Sequence, residues 1–154
     1  MERQVGFFDK IGTLIPGYRG YSERESRRNC DKILREGVVQ KLIEIEKELN
    51  EQMLSLVKLK KFDEVAIIEE SRKKINTFSS RVKYAPHGVS AFFTDNQIKE
   101  DELMRIYQFD LDISDKVIEL ESNLITLKAS EISLLIHQCI DLFIQRINYI
   151  NDFK

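Results

Sequence analysis

Four cations share one helical face near the start of the chain. Arg24, Arg28, Lys32 and Arg35 follow one another at steps of 4, 4 and 3, and residues three and four apart are neighbours on a helix surface. Arg19 stands just before them. Guanidinium forks match carboxylates and phosphates, so Arg19, Arg24, Arg28, Lys32 and Arg35 are the candidate contacts for an anion or an acidic partner. The plainer role for such a face is solvated or internal, with the acidic region 95–121 as its counterpart. A second candidate is apolar. Phe7, Phe8, Ile11, Leu14 and Ile15 recur at helical spacing. Facing outward, such a segment seats in a partner's groove or lies in a membrane interface. Turned inward, it closes one end of its own domain. Membrane-surface helices are usually richer in Lys and Arg, which makes the membrane the less favoured surface. A third reading gathers Tyr18, Arg19, Tyr21, Arg24, Arg28 and Asp110 into one polar site at an end of the molecule.

Other chemistries lack their residues. A di-iron helical protein needs Glu three residues before His, but Tyr84 precedes His87 and Leu134 precedes His137 at that spacing. His137 and Cys139 are two apart, which points them to different faces of a helix. There is no His-Glu-x-x-His, Cys-x-x-Cys, phosphate-binding loop or Gly-x-Ser-x-Gly elbow. The clusters Glu100-Asp101-Glu102 and Asp110, Asp112, Asp115 have the oxygen ligands of a divalent-cation site but not the glycine and closing Glu of an EF-hand loop. At a helix start, such residues simply complement the dipole. The expectation is therefore no metal, no cofactor and no catalytic residue.

The 154 residues carry 24 Lys and Arg against 26 Asp and Glu, a net of −2. The balance is uneven: residues 1–93 hold 18 basic and 14 acidic side chains, and residues 94–154 hold 6 and 12. A nucleic-acid binder is usually basic overall, so nucleic acid is not expected. No apolar run approaches the ~20 residues that span a bilayer, and no secretory leader pattern opens the chain. With two cysteines, Cys30 and Cys139, read as reduced thiols, a cytoplasmic location is expected.

These candidates must be positioned by helices. Pro is found twice and Gly six times. They gather at Gly6 to Gly20 and at Pro86–Gly88, with Gly37 alone. Residues 1–21 form an opening amphipathic unit ended by Pro16-Gly17. Ser22 and Glu25 have the spacing of a capping box. From there Ile33, Leu34, Val38, Leu42, Ile45, Leu49, Met53 and Leu56 form a near-heptad seam. A helix from 22 to 60 would be roughly 58 Å long, which suits an elongated shape. A turn follows at Lys60–Asp63, with Asp63 as N-cap and Phe62 and Ile67 as a hydrophobic staple. Val65, Ile68, Ile75, Phe78 and Val82 line the return helix. After a break at 84–96, Asp95 is placed to cap a third helix over 97–152. Alternation at Tyr107, Phe109, Leu111 and Ile113 has the period of a strand. Helix is still the favoured reading, because a strand needs a partner and no second convincing one is present; a kink or short extended stretch near 107–114 is the compromise, with Ser114 then the next cap. A second phase change falls at 129–130.

Met53, Phe62, Asp63, Glu64 and Ala66, in MLSLVKLKKFDEVA, resemble the centre of a UVR-type helical hairpin over about residues 45–76. Glu69 and Glu70 depart from that pattern, where an Arg-Asp pair would stand. The resemblance implies a hairpin and a docking role, not DNA repair.

The expectation is one all-α domain: an elongated antiparallel hairpin or bundle of three to four long helices with a short N-terminal helix. Its function would be non-enzymatic, a protein–protein interaction or scaffold role through a partner or self-association. The alternatives are a peripheral membrane protein anchored by residues 3–15 and a small-anion site in Tyr18–Arg35.

Overall fold

The computed structural model describes residues 2–85, 91–94 and 97–153; the side chains of residues 2–5, 7 and 8 lie outside that set. The chain is all-helical, and no strand occurs among the described residues. Six helices follow in order: α1 Glu2–Leu14, α2 Arg24–Lys58, α3 Phe62–Tyr84, α4 Ala91–Thr94, α5 Glu100–Asn123 and α6 Ala129–Asn151. That exceeds the count from sequence, since α5 and α6 are separate and the one-turn α4 has too few residues to show a period. The Pro86–Gly88 break, His87 and the Asp95 cap lie outside the described residues.

The seam read from sequence makes the core. Leu34, Val38, Leu42, Ile45 and Leu49 of α2 are buried, with Ile68, Ile75, Phe78 and Val82 of α3. α2 packs on α3 and α5, and α6 packs on α5 and α3, so four long helices surround one core. α1 lies along α5, and α4 tucks against α2 and α6. At 35 residues, α2 is ~52 Å long.

The helix ends depart from expectation. α2 begins after Glu23 without a side-chain cap; Ser22 Oγ instead stands 3.3 Å from Tyr107 Oη. A tertiary partner has replaced the capping box. α3 begins at Phe62 with Lys61 at its N-cap position. Asp63 and Glu64 therefore lie within its first turn, where they complement the dipole. Phe62 and Ile67 are exposed, so no staple closes there. The turn is built by α2's C-terminus. The amides of Lys60 and Lys61 donate to the carbonyls of Val57 and Leu56, each at 3.0 Å. Lys60 takes the left-handed φ of 58°. This is a Schellman closure with Lys where Gly is usual.

Residues 107–113 run unbroken within α5. The alternation arises because Tyr107, Phe109, Asp110, Leu111, Ile113 and Ser114 are all buried. α5 is covered by α1, α2 and α6, and a helix covered on several sides loses its single apolar stripe. Ser114 caps nothing; its hydroxyl donates back to the Asp110 carbonyl at 2.7 Å. The later phase change is a true break: residues 124–128 connect α5 to α6.

Gly37 marks a close approach. A Cβ there would meet Ile15 Cγ2 at 2.9 Å and Cγ1 at 3.0 Å. These atoms sit near the backbone of a stiff β-branched residue. Gly37→Ala gains about 1 kcal/mol of helix propensity but overpacks the site by about 1–3 kcal/mol. The expected result is a lower thermal midpoint for Gly37→Ala alone. In an Ile15→Ala background, where the obstructing carbons are gone, the same change should be neutral or stabilising.

Candidate functional site

The strongest polar constellation lies inside the fold. Arg27, Asp31 and Arg35 of α2, Asp110 of α5 and Arg146 of α6 are buried, and Asp31, Asp110 and Arg146 are 0% exposed. Arg146 is the hub. Its Nε donates to Asp110 Oδ1 at 2.6 Å and its Nη2 to Tyr21 Oη at 2.8 Å. Its Nη1 lies 2.8 Å from Asp31 Oδ1. That last contact is an ion pair without hydrogen-bond alignment. Asp110 Oδ2 accepts from the hydroxyls of Tyr18 at 2.7 Å and Tyr21 at 2.6 Å. Asp31 Oδ2 lies 3.1 Å from Arg35 Nε. Arg35 Nη1 also donates to the carbonyl of Ala85 at 2.6 Å, which ties it to the end of α3. The two carboxylates thus face the guanidiniums of Arg35 and Arg146, while the third buried guanidinium, Arg27, donates to the carbonyls of Tyr21 and Phe92.

The loop between α1 and α2 delivers the tyrosines. Gly17 and Gly20 take φ of 91° and 89°, values that favour glycine. They bracket Tyr18 and turn both rings inward. Arg27 Nε then donates to the Tyr21 carbonyl at 2.9 Å, and Tyr107 Oη accepts from the Tyr21 amide at 2.9 Å.

Burial governs the protonation of this cluster. It pushes the Asp110 carboxyl upward, while the Arg146 guanidinium and the two tyrosine hydroxyls oppose that. Three donors on two oxygens suit the ionised carboxylate. Burial works against the Arg146 cation, but Asp110, Tyr21 and Asp31 more than offset it, so its pKa is raised. Burial, reinforced by Asp110, pushes the Tyr18 hydroxyl well above its usual value. Tyr21 moves the same way through burial, opposed by Arg146. Burial also carries the thiols of Cys30 and Cys139 up to about 12. Such thiols are protonated and inert.

The sequence candidates divide between interior and surface. Tyr18, Tyr21 and Asp110 do converge, but in a sealed interior. Arg19, Arg24 and Arg28 of the same expected site stay exposed. Arg28 lies over the Phe93 ring, 5.0 Å from its centroid. Lys32 is exposed and stands 3.9 Å from Glu36. Arg35 is not an outward anion contact, because Asp31 and the end of α3 occupy it. Ile11 and Ile15 are buried and Leu14 is half-buried, so these three face the core; the side chains of Phe7 and Phe8 lie outside the described residues. Among the described residues, no three His, Cys, Asp or Glu side chains gather as a metal site. No helix there is long and apolar enough to cross a membrane. Arg27 and Arg146 were missed by the sequence reading. Their signal was position: each is a charge on an apolar seam, with Arg27 ahead of Asp31 and Leu34, and Arg146 between Phe143 and Ile150.

The opposite end of the α2–α3 pair is an open surface. Leu54, Val57, Leu59, Phe62 and Ile67 are exposed there, as is Ile125 in the α5–α6 connection. A cleft of about 780 Å³ lies beneath, lined by Leu56, Ile67, Ile68, Ile125 and Leu127, with Glu48, Glu51 and Glu64 also around it.

No protein-family model, curated protein or solved structure matches this chain.

Two outcomes are expected of the buried cluster. Arg146→Met leaves Asp31 and Asp110 without their shared cation, and breaking such a pair costs about 3–5 kcal/mol; denaturant unfolding measures it. A loss under ~1 kcal/mol would contradict the hub role. The second concerns alkali. The folded pKa values of Tyr18, Tyr21, Cys30 and Cys139 are raised above their ordinary values of 10.0 and 9.0. Their contribution to stability is therefore intact below pH ~9 and is lost as pH rises toward ~12. Helix signal should fall in step with phenolate absorbance from the buried tyrosines. Full phenolate absorbance with the helices intact would contradict this.

Proposed function

We propose that this chain is a non-enzymatic interaction or scaffold protein whose working surface is the projecting end of the α2–α3 hairpin. The observation that carries the reading is the exposure of large apolar side chains there. Leu54 is 66% exposed, Phe62 61% and Ile125 81%. Large apolar side chains left exposed at one end of a domain mark interaction surfaces. Two hairpins, α2–α3 and α5–α6, lie side by side as an elongated bundle, and the first outreaches the second. The UVR-type resemblance, which falls on this same turn, agrees with a docking role.

The absence of catalysis is part of the proposal. Its support is that the one dense cluster of ionisable groups described, around Arg146, is 0% exposed at Asp31, Asp110 and Arg146. A substrate has no route to those atoms. The burial of Ile11 and Ile15 weighs against a membrane anchor in residues 3–15, because those side chains are already engaged. The exposed Arg19 and Arg24 leave a weak anionic contact as the lesser reading.

The test is affinity capture under native conditions with the full chain and with a Leu59→Ser/Phe62→Ser variant. Removing two anchors from a binding patch weakens a specific complex by about thirtyfold or more. The wild type is expected to retain a defined partner, itself or another protein, that the variant loses while keeping the same helix content and thermal midpoint. If both chains behave alike, the tip is not the working surface.

A further inference from the structure

The apolar seam of α2 outruns its cover. Leu49 is buried, Met53 and Leu56 are half-buried, and Leu59 is exposed. The α5–α6 connection meets α2 near this end: Gln52 Nε2 donates to the Leu124 carbonyl at 2.8 Å. α2 continues about six residues, or ~9 Å, beyond that level before it turns. Along the overhang, Leu59 and Phe62 stand next to Lys58, Lys60 and Lys61, and all five are exposed. The cleft below is acidic on balance at its edge, with Glu48, Glu51 and Glu64 against the single cation Lys128 around an apolar floor. None of these three lysines and three glutamates forms an ion pair among the described residues.

We infer that a second copy of this chain covers this end: two hairpin tips lie antiparallel, and each seats Leu59 and Phe62 in the other's cleft. This rests on the interaction reading above and names the partner. A two-fold interface requires one surface patch to hold both a feature and its complement. This patch does, since apolar knobs flanked by lysines lie within ~12 Å along α2 of a cleft edged by glutamates. Antiparallel overlap brings each lysine set onto the other copy's glutamates. It also covers Val57, Leu59, Phe62 and Ile125. Such pairing closes at two copies, because each tip is used once.

A charge exchange tests it. Sedimentation equilibrium of the full chain, from micromolar to millimolar concentration, should show mass rising from one chain to two and stopping there. Variant one carries Glu48→Lys, Glu51→Lys and Glu64→Lys. Variant two carries Lys58→Glu, Lys60→Glu and Lys61→Glu. Each alone sets like charges against each other and should associate at least about tenfold more weakly than wild type. An equimolar mixture should recover the dimer as a heterodimer, since each tip then meets an opposite cleft. Misfolded variants would not recover on mixing, and circular dichroism of each checks for intact helices. A wild type that stays one chain throughout overturns the inference, as does a dimer insensitive to both variants or a mixture that fails to recover. If the wild type is monomeric yet loses a different captured protein in the Leu59→Ser/Phe62→Ser variant, the interaction reading stands and only self-pairing falls.

Discussion

Arg146 sits without solvent contact between Asp31 and Asp110, and this arrangement ties α2, α5 and α6 to one another. A buried cation is costly unless every donor finds a partner. The partners here come from different parts of the chain: α2 gives Asp31, α5 gives Asp110, and the loop before α2 gives Tyr21. Apolar seams alone tolerate slippage, since one leucine replaces another at low cost. A slip of one helical turn, ~5.4 Å, would pull these charges out of contact. The cluster therefore penalises such a slip, while the leucines and isoleucines supply most of the burial.

The same cluster explains the path of the first 21 residues. Tyr18 and Tyr21 reach Asp110 only if the loop reverses sharply, and Gly17 and Gly20 supply that reversal. With the loop held, α1 must return along α5, and Ile15 lands over Gly37. An apolar segment that could have served as an anchor instead buries Ile11 and Ile15 alongside α5. Arg35 extends the network to α3 through the Ala85 carbonyl.

The molecule is thus closed at one end and open at the other. At the closed end, charges, tyrosines and the aromatic side chains of Phe92 and Phe153 pack together. At the other, Leu59 and Phe62 are exposed, while Met53 and Leu56 of the same seam remain half-buried.

The features legible in the amino acids alone were local and periodic. The spacing of Leu34, Val38, Leu42, Ile45 and Leu49 required a helix with one buried face, and the chain is all-helical. The turn near Lys60–Asp63 was legible from the same pattern. Asp110 with Tyr18 and Tyr21 could be suspected as a group, though not as a sealed one. Packing between helices set the rest. It made 107–113 continuous helix, because cover from three helices disguises a helical period as alternation. It spent Ser22 on Tyr107 instead of a cap. It drew Arg35 inward, leaving Arg24 and Arg28 at the surface, although all three share a face by simple spacing. It placed Arg27 and Arg146 in the core against their composition. The physical reason is common to these cases: sequence period reports which residues share a side of their own helix, whereas burial depends on how many neighbours cover that side.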